Sequence, residues 1–273
     1  MASRIANSLS RHPVVSFYIL AFAISWLGGV PQAALSRNLV PFRSPIFDLL
    51  FIGGPAFAAF IMTVALSGRI GLRDLFARLF RWRVGVVWYA VALFGNVAIF
   101  LIALGIDRLL GGTEDLDFSK LGSLFALFPF LLISFLFNVW EEIGWRGFAL
   151  PRLQSRYNAL VSSLIVGVLW GLWHLPLFFT EGNLMSTLPF AAWFVSIVAL
   201  AVLYTWLYNS AKGSLLLVTL FHAAGNTIGA AVFIAAGGIS AQGYMIVFAV
   251  QCVAAIVVLV VYGPARLSRQ TAE

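Results

Sequence analysis

Long apolar runs separated by short polar breaks, many holding glycine or proline, dominate the chain. Eight of them can be marked, at about 14–35, 46–66, 85–106, 121–145, 159–179, 190–208, 214–235 and 242–262. Most are close to the ~20 residues that carry an α-helix across a ~30 Å hydrocarbon layer. In lipid, backbone N–H and C=O groups must be satisfied within the segment, which selects helices. No tract shows the alternation over about ten residues that marks a membrane barrel strand. The pattern therefore predicts an all-α, polytopic transmembrane helical bundle of about eight spans. No Pro- or Ser-rich linker, long repeat or low-complexity tract interrupts it, so one integral membrane domain over 1–273 is expected.

Composition agrees with that pattern. Of the residues, 62% are apolar and 10% charged, whereas soluble domains carry about a quarter charged residues. Eight spans put both termini on one side, and the basic residues indicate which. With cytoplasmic termini, that side holds Arg4, Arg11, Arg69, Arg73, Arg78, Arg81, Arg83, Arg146, Arg152, Arg156, Lys212, Arg266 and Arg269. The other side holds Arg37, Arg43, Arg108 and Lys120, with the acids Asp107, Glu114, Asp115, Asp117 and Glu181. The net charge of +7 is thus mostly a positive-inside pattern and calls for no nucleic-acid partner. The cluster 69–83, with Leu72, Leu75, Phe76, Leu79 and Trp82, reads as an amphipathic segment lying on membrane lipids. The run Val14 to Leu35 is too long for a signal-peptide core and lacks a convincing cleavage site, so the first span is expected to be retained. Alanine-, valine- and arginine-rich usage points to a bacterial inner (cell) membrane. Cys252 is the sole cysteine and lies in an apolar run, which excludes an internal disulfide and Cys-based metal motifs and suggests an inert thiol.

An ionisable residue at the centre of a span costs ~2.5–3.5 kcal/mol on insertion scales. Such residues are nearly absent from five of the spans and gather in the fourth, fifth and seventh. The fourth ends Asn138-Val139-Trp140-Glu141-Glu142-Ile143-Gly144-Trp145-Arg146. Glu142 and Arg146 are four apart with the acid first, the order that favours an ion pair. Glu141 points about 100° away and has no such partner, which leaves it for acid–base chemistry. The alternative is a helix end with both glutamates in water. The fifth span carries Trp170-Gly171-Leu172-Trp173-His174-Leu175-Pro176, where His174 reads equally well as a structural hydrogen-bonder and Pro176 disrupts the helix. In the seventh, His222 and Asn226 share one face among small residues, an arrangement that also serves as interhelical glue. His12, the remaining histidine, lies in the charged N-terminal stretch. Polar residues on three separate helices are expected to meet in one water-accessible pocket.

These three segments resemble the signature of the CAAX-protease and bacteriocin-processing (Abi) family of intramembrane peptidases, which includes the type II CAAX prenyl protease. The family pattern is Glu-Glu-x-x-x-Arg, then Phe-x-x-x-His, then His-x-x-x-Asn. Glu141, Glu142 and Arg146 complete the first motif, and His222 with Asn226 the third. The second departs at Trp170, where phenylalanine is usual, but keeps His174. The resemblance implies a peptidase core at about 121–235 that hydrolyses a peptide bond in a membrane-associated or lipidated protein. It implies Glu141 as the base activating water and His174 as its helper. His222 and Asn226 would be oxyanion donors, with Glu142 and Arg146 holding the helix end. Members are often labelled metalloproteases, and Glu141, His174 and His222 could hold a catalytic zinc. A metal-free glutamate mechanism needs the same residues. No His-Glu-x-x-His motif is present.

Rival readings are a proton-coupled transporter and a non-catalytic scaffold, although the two halves of the chain show no internal repeat. The depths also pose a problem. From the marked starts, His174 lies ~22 Å into its helix and His222 ~13 Å at 1.5 Å per residue. Convergence is expected if the fourth helix runs on toward Pro151 and the fifth starts near Ser163.

Overall fold

The computed structural model describes residues 11–112 and 116–269. Arg4, Glu114 and Asp115, used above to orient the chain, lie outside that range. Among the described residues all regular structure is helical: α1 Pro13–Ser36, α2 Pro45–Leu79, α3 Val86–Leu109, α4 Leu127–Glu142, α5 Leu150–Gln154, α6 Ala159–Trp173, α7 Leu175–Phe178, α8 Phe190–Ser210, α9 Leu215–Ala236 and α10 Ala241–Tyr262. A π-helical stretch, Ile143–Ala149, joins α4 to α5, and short 3₁₀ turns occupy Phe118–Leu121, Leu124–Ala126 and Leu184–Thr187. Among the described residues seven helical stretches are long and apolar enough to cross a membrane, and α6 is a shorter apolar helix of 15 residues. The protein is an integral membrane helical bundle. Its outer surface is apolar, with Leu101, Ile133, Val195 and Val260 all exposed, which in water would be an aggregation hazard and in lipid is required.

Helix ends follow local chemistry. Ser44, Asn158, Ser214 and Ser240 each accept a backbone N–H of the first turn through the side-chain oxygen, the usual N-cap device. Pro129 falls in the first turn of α4, where a missing N–H costs nothing. That is why this helix begins at Leu127 rather than at 121 as the hydropathy suggested. Within α2, Gly68 adopts φ 52°, ψ −142°, a conformation open to glycine. It turns the chain from the spanning part into the arginine-rich extension that ends at Leu79.

Hydrogen bonds identify the two ends of the bundle. At one end, Ala159 N–H donates to the Ala265 carbonyl, Asn209 to the Arg266 carbonyl and Ser214 Oγ to the Arg81 carbonyl. At the other, Arg37 donates to the Phe179 carbonyl, Gln242 to Asp107 and Asp117 N–H to the Ala235 carbonyl. Residues 159–179 thus run from one end to the other as α6 plus α7, although α6 alone is ~22 Å long at 1.5 Å per residue. Counting this stretch, the described residues traverse the bundle eight times.

Close backbone approach between helices is bought at glycine. A Cβ on Gly28 would sit 2.1 Å from the Phe47 carbonyl oxygen, and one on Gly144 would sit 2.8 Å from that of Pro55. These contacts bring α1 against α2, and α2 against the π-helical stretch.

Candidate active site

The polar cluster is built around the end of α4. Glu142 and Arg146 are both 0% exposed, and Arg146 Nη1 donates to Glu142 Oε1 and Oε2 at 3.0 and 3.2 Å. The expected i,i+4 pair therefore forms, but deep within protein rather than at a helix end in water. Desolvating such a pair is costly unless further contacts compensate. Here they do. His222 Nδ1 lies 2.9 Å from Glu142 Oε1, and the Arg146 guanidinium sits 4.6 Å from the Trp170 ring centroid and 4.3 Å from that of Tyr204. Its Nε and Nη2 find no oxygen; the aromatic faces take that positive charge instead.

Glu141 has different surroundings. It is 9% exposed, and its Oε2 accepts the indole N–H of Trp170 at 2.7 Å. No cation pairs with it among the described residues. Trp170 carries α6 into the cluster and its carbonyl accepts from His174 Nδ1 at 2.8 Å. His174 stands at the break between α6 and α7, boxed edge-on by Trp173 and Trp193 at 4.7 and 5.3 Å between ring centroids. A carbonyl only accepts, so His174 Nδ1 carries a proton. Nε2 of neither site histidine has a hydrogen-bond partner among the described residues. Asn226 is exposed at the bundle surface, and its Nδ2 donates to Asn138 Oδ1 at 3.2 Å.

All six residues singled out in the sequence thus lie in or beside one cluster, and the depth problem resolves by a route only half anticipated. The fourth helix does continue past Pro151, through the π-helical stretch to Gln154. The fifth begins at Ala159, not near Ser163: Ala159 and Leu160 donate to the Ala265 and Pro264 carbonyls, and Asn158 caps the first turn, so every early N–H is satisfied there. At the same end α9 starts at Leu215 behind its Ser214 cap; both residues are fully buried, and Leu215 packs beside Gly147 of the π-helical stretch. His222 lies about two turns further on, against Glu142.

Four participants were not foreseen. Trp170 drew notice only as a departure from phenylalanine. Asn138 is buried and precedes Glu141 by three residues on the same face, a spacing that would have flagged it. Asn96 in α3 donates to the Phe221 carbonyl at 2.8 Å and steadies α9 beside His222; a lone amide in mid-span was the available signal. Tyr204 had none, being one aromatic in an aromatic-rich helix.

Among the described residues no three His, Cys, Asp or Glu side chains are grouped so as to hold a metal ion. Glu141, His174 and His222 do not form such a cage as arranged, and the metalloprotease label gains no support. Cys252 is unpaired and partly buried.

A membrane helix bundle that seals one carboxylate into an ion pair and leaves its neighbour on a single indole N–H has the parts of an intramembrane hydrolase. Residues 123–228, which enclose all three motifs, match the family model described as type II CAAX prenyl endopeptidase Rce1-like. The chain is also 27% identical over 219 residues to CAAX prenyl protease 2 of Methanococcus maripaludis, covering 76% of this chain and 80% of that protein. The chain is thus similar to CAAX prenyl proteases across the region that holds its three motifs, a likeness that supports a membrane endopeptidase.

Proposed function

We propose that this protein cleaves a peptide bond near the end of a prenylated or otherwise membrane-anchored protein, with Glu141 activating the attacking water. The single observation that carries the reading is the unequal treatment of two adjacent carboxylates. Glu142 is committed to Arg146 and His222, whereas Glu141 receives one neutral N–H and keeps its other oxygen available. A general base must hold a basic oxygen within reach of water, and Glu141 is the carboxylate in the cluster able to do so.

In this reading Glu141 takes a proton from water as the oxygen adds to the scissile carbonyl, with His174 Nε2 helping to place the water. The proton then passes to the leaving nitrogen as the C–N bond breaks. His222 and Asn226 supply donors to the oxyanion, a task suited to groups fixed in advance. For that task His222 Nε2 must bear a proton while Nδ1–H stays on Glu142, so His222 acts as an imidazolium with Glu142 as its counter-ion. The peptidase core is 121–235 within one domain, the end holding Arg78, Arg81 and Lys212 faces the cytoplasm, and the membrane is a bacterial inner membrane. The name of the archaeal relative supports a prenylated substrate.

The test uses purified protein in liposomes with a farnesylated peptide ending in Cys-a-a-X, where a is aliphatic. The wild type is expected to release the terminal tripeptide and Glu141→Gln to release it at least about a hundredfold more slowly while remaining folded. A Glu141→Gln protein that cleaves at the wild-type rate overturns the assignment. Metal analysis of the active protein addresses the zinc alternative.

A further inference from the structure

We infer that Trp170 is a positioning residue for this site, its indole N–H fixing the Glu141 carboxylate and its backbone carbonyl fixing the His174 ring. The inference rests on the reading of Glu141 as the base. Trp170 is 1% exposed and touches the cluster on every side. Its Nε1 donates to Glu141 Oε2 at 2.7 Å, within the range of a hydrogen bond to an ionised acceptor. Its carbonyl holds His174 Nδ1 at 2.8 Å. Its ring lies against the Arg146 guanidinium at 4.6 Å and against the His222 ring at 5.5 Å.

Filling space does not require this residue. The phenylalanine usual at this position in the family pattern also offers an aromatic face to a buried guanidinium, but it has no N–H. Among the described residues no other hydrogen-bond donor reaches Glu141. Without the indole, the carboxylate would be free to turn about its side-chain torsions, each with its own staggered wells. With Oε2 tethered, Oε1 is left as the oxygen that meets water. The same residue sets the His174 tautomer, because an Nδ1–H held by a carbonyl leaves Nε2 as the acceptor. Trp170 thus couples the two groups that must agree on one water position.

The test pairs a spectroscopic readout with a kinetic one. The protein has nine tryptophans, so ¹⁵N-indole spectra in micelles contain few cross-peaks, and Trp170→Phe identifies its own by deletion. That peak is expected well downfield in the wild type and should move upfield in Glu141→Gln, where a neutral amide replaces the carboxylate. A peak that stays put overturns the bond. Kinetically, Trp170→Phe should lower kcat about ten- to a hundredfold, the range for losing a hydrogen bond to a charged group, with KM changed less than about twofold, since uniform substrate binding is untouched. Placing 3-benzothienylalanine at position 170 keeps the bicyclic shape without the N–H and should reproduce the kcat loss. Full activity of that isostere shows that shape suffices and overturns the inference. If Glu141→Gln is inactive but Trp170→Phe retains its kcat, the positioning role alone falls. If Glu141→Gln stays active, both readings fall.

Discussion

The two sides of the cluster differ in how completely they are closed. Behind Glu142, the ion pair with Arg146 is sealed at 0% exposure between Trp170 and Tyr204 and is bound to His222. Before Glu141, the side chains are slightly exposed, one oxygen is tethered, and Asn226 reaches the bundle surface. Adjacent residues on one helix therefore meet opposite environments, because a 100° rotation per residue sends one toward α9 and the other toward α6. In the proposed reading, the sealed side fixes the shape of the helix end and the less closed side receives water and peptide. A carboxylate in a sealed ion pair and one without a cation partner among the described residues are separated by one peptide bond.

The sharpest way to break that comparison is Glu141→Gln. Peptidase activity should fall by about 10²–10⁴, the usual contribution of a general base. Stability should change by less than about 1 kcal/mol, since an amide oxygen can still accept the Trp170 N–H. Thermal unfolding in detergent beside a cleavage assay separates the two. The reverse pattern is expected on the sealed side. Glu142→Ala leaves Arg146 buried without its counter-ion and should cost about 3–5 kcal/mol, visible as loss of folded, monodisperse protein. Adding Arg146→Met should restore much of that stability without restoring activity, as removing both members of a buried pair costs less than removing one. A smaller loss, about 1–3 kcal/mol from overpacking, is expected for Gly144→Ala, whose new methyl would meet the Pro55 backbone. Its activity should drop as well, because the π-helical stretch it displaces carries Arg146. Smallest is Asn138→Ala, which removes the acceptor of the Asn226 amide. One hydrogen bond of about 1 kcal/mol corresponds to about a fivefold fall in kcat, and Asn138→Asp, which keeps the acceptor, should recover most of it.

Much of this was legible along the chain because its causes are local. Span positions follow from hydropathy, which lipid enforces residue by residue. The Glu142–Arg146 pair follows from a spacing of four on one helix, and the break beside His174 from Pro176. The bend at Gly68 matches the change from apolar to arginine-rich sequence there. What the sequence left open depends on partners far away in the chain. The π-helical stretch exists where Gly144 and Gly147 pack against Pro55, Leu75 and Leu215, and no run of letters announces a wider turn. The contact of His222 with Glu142, across 80 positions, depends on α9 packing beside the end of α4. The Trp170 bond to Glu141 spans 29 positions and needs a rotation of α6 that periodicity alone cannot supply. Sequence determined which residues are too polar to face lipid; only the tertiary packing decided which of them neutralise each other and which one keeps no cation partner among the described residues.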